Sequence, residues 1–256
     1  MKSSKKKKKK IYIIKQIKQQ QIEALKRAAK YRREFLGNVS HELKTPIFNI
    51  QGYVHTLLDG AIHDPLVNKK YLHRTSKSID RLIAIIDDLD ALARLESDEL
   101  KLEKTSWDVL ELIKEVFESF EVKSVKKKIE LILPKKKKPI MVLADRDQIS
   151  QVLYNLISNG IKYGKESGYV KATVEHEEEH IMINVKDNGI GIDEKNIPRL
   201  FERFYRVDKG RSREEGGTGL GLAIVKHILE NHNEKIIVNS KKNSETKFSF
   251  SIKKEQ

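Results

Sequence analysis

The chain has no cysteine. Disulfide frameworks, thiolate catalysis and cysteine-based zinc sites are therefore excluded, and the absence fits a reducing compartment. No stretch approaches the roughly 20 apolar residues of a membrane-spanning helix. The apolar patch Ile11 to Ile14 is too short for a signal-peptide core. Aromatics are sparse, at 7%. They are not interleaved with the lysine runs, as a single-strand nucleic-acid platform requires. Positive charge is what the chain has in excess, with a formal net charge of +14. Much of it sits in short runs, Lys5 to Lys10, Lys126 to Lys128 and Lys135 to Lys138. Solvated surface explains such runs better than a polyanion site, so no nucleic-acid partner is expected. In a longer parent chain the N-terminal run would suit the neighbourhood of an anionic membrane.

Length and texture point to two domains. The 256 residues suffice for two modest ones. Residues 11–58 read as one helix, with Phe35, Val39, Leu43, Ile47, Ile50, Val54 and Leu57 recurring at helical steps. A break across Asp59 to Pro65 follows. A second helix spans Val67 to Leu95, with an apolar seam of Ile79, Leu82, Ile83, Ile86, Leu89, Leu92 and Leu95. Two long helices and a short turn make an antiparallel hairpin, and a homodimeric four-helix bundle is the natural way to bury both seams. From Trp107 the pattern becomes mixed. Helices are expected over Val109 to Val122, Asp145 to Lys162 and Leu222 to Asn231. Strands are expected over Ile129 to Leu133, Ile140 to Leu143, Tyr169 to Val174, His180 to Asp187, Ile236 to Ser240 and Thr246 to Ile252. That mixture implies an α+β two-layer sandwich. The expected organisation is a basic N-terminal helical segment (1–27), a helical hairpin domain (28–98), a polar linker (99–106) and an α+β domain (107–256).

Two groups of residues carry chemistry. The first is Ser40-His-Glu-Leu-Lys-Thr-Pro46 on the first helix. A neutral imidazole is a nucleophile, and an acidic neighbour such as Glu42 can hold its tautomer and take its proton. Thr45 is four residues past His41, on the same helical face, where a hydroxyl can position a water. Pro46 removes a helical hydrogen bond, so a bend is expected just past the histidine. Taken alone, a His-Glu pair on an amphipathic helix is usually an ordinary solvated face. The second group lies in the α+β region. Asn155, Asn159 and Lys162 share a helix face, with hard amide oxygens suited to magnesium and a cation suited to phosphate, although such residues are also common on helix surfaces. Asp187-Asn-Gly-Ile-Gly191 reads as an aspartate for an exocyclic amine beside glycines that admit a flat base, or equally as a hairpin turn. Gly216-Gly-Thr-Gly-Leu-Gly221 opens an apolar helix, where backbone N–H groups meet phosphates. It is neither a Walker loop nor a Rossmann loop.

Together these segments resemble the sensor histidine kinases of two-component systems. Residues 40–46 are similar to the H box of that family. The three glycine and asparagine segments, in this order, are similar to the N, G1 and G2 boxes of the Bergerat-type ATP fold, shared with gyrase, a heat-shock chaperone and a mismatch-repair protein. Leu200-Phe-Glu-Arg-Phe-Tyr-Arg206 resembles the kinases' F box. The resemblance covers roughly residues 28–254. It implies that His41 accepts phosphate from ATP, that Glu42 assists and that Thr45 supports dephosphorylation of a response-regulator receiver domain, the expected partner. It implies Asn159 as magnesium ligand supported by Asn155, with Lys162 on phosphate and Tyr163 flanking the nucleotide. Asp187 would read the adenine amine, with Gly189 and Gly191 shaping its pocket. Arg206 and Arg203 would meet phosphates, and Gly217, Thr218, Gly219, Leu220 and Gly221 would wrap them. Val207 to Gly216 fits a lid. The expected cofactors are ATP and Mg2+, and the expected location is cytoplasmic, whether free or as the inner part of a membrane-bound sensor.

Two features refine the expectation. Hydrolytic relatives place a glutamate where this chain has Asn155, which cannot act as a general base, so transfer to a protein nucleophile is favoured over simple hydrolysis. Gly160 stands where the family usually has alanine, at a cost of about 1 kcal/mol in helix propensity but with no ligand removed. The remaining histidines, including His176 and His180, show no metal-like spacing with carboxylates.

Overall fold

The computed structural model describes residues 2–97, 101–135, 138–208 and 217–255. Part of the Lys135 to Lys138 run, the start of the linker, Gly216 and most of the expected lid lie outside the described residues, as do the side chains of Ile11 to Ile14. The chain divides into two compact units, residues 1–82 and 83–256. The division falls inside the second helix.

In the first unit, α1 (Lys2–Leu58) runs through Pro46 without interruption. The turn is built as its composition demands: Gly60 takes a φ of 113°, Ala61–His63 form a 3-10 turn, and Asp64 Oδ1 accepts from Leu66 N at 2.8 Å. α2 (Asn68–Leu95) then returns antiparallel. Tyr53 meets Tyr71 with ring centroids 5.7 Å apart, with Arg74 over the Tyr53 ring, and further from the turn Glu42 meets Arg81. Of the α1 seam, Leu57 is buried and Phe35, Val39, Leu43 and Ile50 are half-buried, but Ile47 and Val54 face outward in the single chain. On α2, Ile79, Ile83 and Ile86 are exposed, while Ile85, outside the expected seam, is fully buried. The apolar stripe of α2 is wide enough to offer two faces, so periodicity alone cannot choose between them.

The second unit opens with a strand that sequence reasoning placed in a linker. β1 (Lys104–Asp108) pairs antiparallel with β3 (Met141–Asp145). Lys104, Thr105 and Ser106 are exposed, so no alternation announced the strand; Trp107 anchors it by donating Nε1–H to the Ala144 carbonyl at 2.9 Å. Asp108 caps α3 (Val109–Ser119) at Leu110 N and also accepts from Ile140 N at 2.9 Å. The helix expected to reach Val122 instead breaks at Phe120 (φ −101°, ψ 0°), which is buried, and α4 (Glu121–Lys127) starts afresh. Asp145 caps α5 (Arg146–Tyr163) by accepting from Gln148 N.

The main sheet has the order β2-β4-β5-β7-β6: β2 (Glu130–Ile132) runs parallel to β4 (Tyr169–His176), and β5 (His180–Asp187), β7 (Glu245–Lys253) and β6 (Ile236–Lys241) continue antiparallel. One face carries Val170, Ala172, Ile181, Ile183, Phe248, Phe250 and Ile252, all buried. Against it lies α5, which also packs on α3 and on α6 (Gly221–Asn231). This is the expected two-layer sandwich.

α5 approaches the sheet at Gly160. A Cβ there would lie 2.8 Å from Val170 Cγ2 and 3.5 Å from Asp187 Cβ. The glycine is thus required by packing, and its loss of helix propensity follows from that. Gly160→Ala should therefore fail to deliver the propensity gain of about 1 kcal/mol and should lower the melting temperature. In a Val170→Ala background, where the obstructing methyls are gone, the same change should raise it. Thermal unfolding of the four proteins of this cycle is the measurement; an additive cycle would show that Val170 does not set the constraint.

Candidate active site

α5 presents its Asn155, Ser158, Asn159, Lys162 and Tyr163 face to a cavity of about 440 Å³. The strand end of β5 contributes Asp187, the following turn contributes Gly191, the segment before α6 contributes Gly217, Thr218 and Gly219, and α6 opens on Gly221. Arg206, Val207 and Asp208 close one side. The cavity has two ends. At the middle of α5, a Cβ on Gly221 would meet Asn155 Oδ1 at 2.9 Å, so the glycine loop and this amide face each other directly. Gly219 holds a φ of 81° beside the Phe204 backbone, and its carbonyl accepts from Phe204 N at 2.8 Å. Arg206 Nη2 donates to the Thr218 carbonyl at 2.6 Å. At the C-terminal half of α5, Tyr163 O accepts from Ile190 N at 3.1 Å, and Asp187 Oδ1 accepts from Gly189 N at 2.9 Å.

The glycines near Asp187 serve packing more directly than expected. The Cβ position of Gly189 is filled by the Tyr163 carbonyl at 2.4 Å, and that of Gly191 (φ 62°) by the Lys241 carbonyl at 2.0 Å. Burial pushes the Asp187 carboxyl up to about 6; the Gly189 N–H opposes the shift and the Glu245 charge adds to it.

On α1, His41 is mostly exposed whereas Glu42 is buried. Glu42 Oε2 accepts from Arg81 Nη2 at 2.8 Å, and Oε1 stands 3.9 Å from His41 Nδ1. Thr45 Oγ1 donates to the His41 carbonyl at 3.2 Å, a bond available because Thr45 lies one turn on.

These two arrangements, a phosphoacceptor-type helix and a glycine-gated cavity, have counterparts among known proteins. The family described as "His Kinase A (phospho-acceptor) domain" matches residues 31–98, and "Histidine kinase-, DNA gyrase B-, and HSP90-like ATPase" matches residues 144–256. The chain belongs to the sensor histidine kinases of two-component systems. It is 37% identical over 223 residues to the sensor histidine kinase WalK of Bacillus subtilis (86% of this chain, 36% of that protein) and 37% identical to a WalK of Staphylococcus aureus (87% and 52%). It thus spans about half, or less, of the length of these curated relatives. Among solved structures it is similar to the catalytic domain of histidine kinase ThkA (34% identity, TM-score 0.53, 59% of this chain and 96% of that one). It is also similar to ThkA in complex with the response regulator TrrA (30%, TM-score 0.71, 87% and 61%).

In this histidine kinase the cavity gathers Asn155, Asn159, Lys162, Tyr163, Asp187, Gly191, Arg206, Gly217, Thr218, Gly219 and Gly221. It does not gather Gly189, Arg203 or Leu220. Leu220 is fully buried with its N–H on Thr218 Oγ1, and Arg203 turns to Glu96 at the end of α2. Asp88, Lys123 and Tyr154 line the same cavity and were not anticipated. Asp88 accepts from Thr218 Oγ1 at 2.5 Å, and burial raises its carboxyl while Thr218 and the Lys162 charge oppose the shift. Arg81 was also missed. An arginine within an apolar helical seam was the available signal, since a charge survives there only with a partner. Among the described residues no cluster of three His, Asp or Glu offers a metal site. No helix among the described residues is long and apolar enough to cross a membrane.

The raised Asp187 carboxyl gives a signed expectation. A carboxylate accepts from an adenine amine better when ionised, so adenosine affinity should be full at neutral pH and should fall as pH drops through about 6. Adenosine carries no phosphate to titrate, and Asp187→Asn should weaken binding and flatten the profile. Calorimetric titration across this range checks it; a wild-type profile flat through pH 6 would remove Asp187 from base recognition.

Proposed function

We propose that this histidine kinase transfers the γ-phosphoryl group of ATP to His41 and then passes it to an aspartate on a response-regulator receiver domain. The carrying observation is a single cavity in which the Asn155 amide faces a glycine loop while Asp187 closes the other end, in a chain that also holds an exposed histidine beside a buried carboxylate. The relatives' names support the same reading.

His41 Nδ1 is the ring nitrogen nearest Glu42, which leaves Nε2 to attack. A bond forms from Nε2 to the γ-phosphorus, and the bond to the leaving ADP oxygen breaks. The Nδ1 proton passes to Glu42, which needs to close the 3.9 Å gap to do so. Arg81 holds that carboxylate against α2 and limits its wandering. Lys162, Arg206 and the loop amides supply fixed positive charge around the phosphates, where positioning and electrostatics carry the catalysis. The hard amide oxygens of Asn159 and Asn155 would hold Mg2+, which when bound would neutralise phosphate charge. Asn155 has no basic oxygen to activate water, which favours the histidine as acceptor. Thr45 gives its proton to the His41 carbonyl and so keeps lone pairs to orient a water, which supports a second activity, removal of phosphate from the regulator. Ile47, Val54, Leu72, Ile79, Ile83 and Ile86 are exposed apolar residues on the hairpin helices, which favours a homodimer.

Incubation with γ-labelled ATP and Mg2+ should give an acid-labile, base-stable protein label, lost in His41→Gln and in Asn159→Ala. A label surviving His41→Gln overturns the proposal. Thr45→Ala should keep the label and slow dephosphorylation of a phosphorylated regulator; an unchanged dephosphorylation rate would leave Thr45 without a role.

A further inference from the structure

Lys123 lies on α4, outside every segment that carries the family resemblance. The break at Phe120 is what places it. Phe120 is buried with its ring 4.6 Å (centroid to centroid) from that of Tyr154 on α5, and Lys123, three residues on, sets its ammonium over both rings, at 5.4 Å from Phe120 and 6.0 Å from Tyr154. Tyr154 directly precedes Asn155, and both line the cavity with Lys123. Lys123 therefore enters near the middle of α5, beside Tyr154 and Asn155, where Gly221 faces the Asn155 amide. Among the described residues no carboxylate pairs with it, although the same short helix carries Glu121. Phe120 is buried but Tyr154 and Lys123 are exposed, so the rings position the ammonium while leaving it open to an anion in the cavity, whose wall includes the glycine loop.

We infer that Lys123 is a phosphate-binding residue, held by the Phe120–Tyr154 pair, that discriminates the triphosphate from less charged ligands. The inference rests on the nucleotide reading above. Its cation adds to Lys162 and Arg206 from a separate helix, so the cavity grips the phosphates from α4, α5 and the loop before α6. The contact is part-exposed, so its worth is that of a single screened charge pair.

The test measures Mg2+-dependent binding of ATP, ADP and adenosine to the full chain for wild type, Lys123→Met and Lys123→Arg. Methionine keeps the aliphatic cover over both rings and removes only the charge, so melting temperature without nucleotide should not change. ATP affinity of Lys123→Met should fall about three- to fivefold, ADP less and adenosine not at all, with Lys123→Arg close to wild type. The ATP deficit should shrink as salt rises. Equal losses for ATP and adenosine would make Lys123 a packing residue and overturn the inference, as would unchanged ATP affinity in Lys123→Met. Wild-type protein that binds no ATP would instead overturn the nucleotide reading itself.

Discussion

The close approach of α5 to the main sheet at Gly160 is the contact on which the rest of the cavity depends. With no side chain there, the helix sits against Val170 and the Cβ of Asp187. Its middle then brings Asn155 to the glycine loop, and its C-terminal end brings the Tyr163 carbonyl to the turn after Asp187. The amides and Lys162 are thus carried by one rigid helix and Asp187 by the sheet it packs on, so no single loop has to hold them in register. The same logic explains Gly189 and Gly191, whose missing side chains make room for the protein's own carbonyls.

The phosphoacceptor helix solves a different problem. A nucleophilic imidazole must be reachable, and the carboxylate beside it must not drift. The helix meets both demands by putting adjacent residues in opposite environments: His41 outward, Glu42 inward and paired with Arg81 of α2. Removing Arg81 would leave a buried carboxylate uncompensated, so the pair makes placement of Glu42 depend on the hairpin being closed.

Much of this was legible in the residues, and the misses have physical causes. Helical periodicity marked α1 and α2, and alternating apolar residues marked β4, β5 and β7, because burial on one face leaves a pattern. β1 left none, since Lys104, Thr105 and Ser106 are solvent-facing and Trp107 is the strand's one buried side chain. The break at Phe120 was hidden because the apolar spacing continues across it, and with it went the position of Lys123. Short motifs located Asn155, Asn159, Lys162, Asp187 and the glycine loop on the cavity wall. Arg203 sits in such a motif yet faces Glu96, while Asp88 and Lys123 reach the cavity without any motif. Side chains that arrive from separate elements carry no sequence signature, because the spacing that unites them exists only in the fold.

In the proposed reaction one nitrogen on one exposed helix face receives the phosphoryl group. Protein incubated with Mg2+ and ATP, digested at alkaline pH and fragmented under conditions that keep phosphoramidates intact, locates that group by mass. A single phosphorylated site is expected, on the peptide fragment that contains His41. Phosphate on any other residue, or a protein that turns ATP over without ever carrying phosphate, would contradict it.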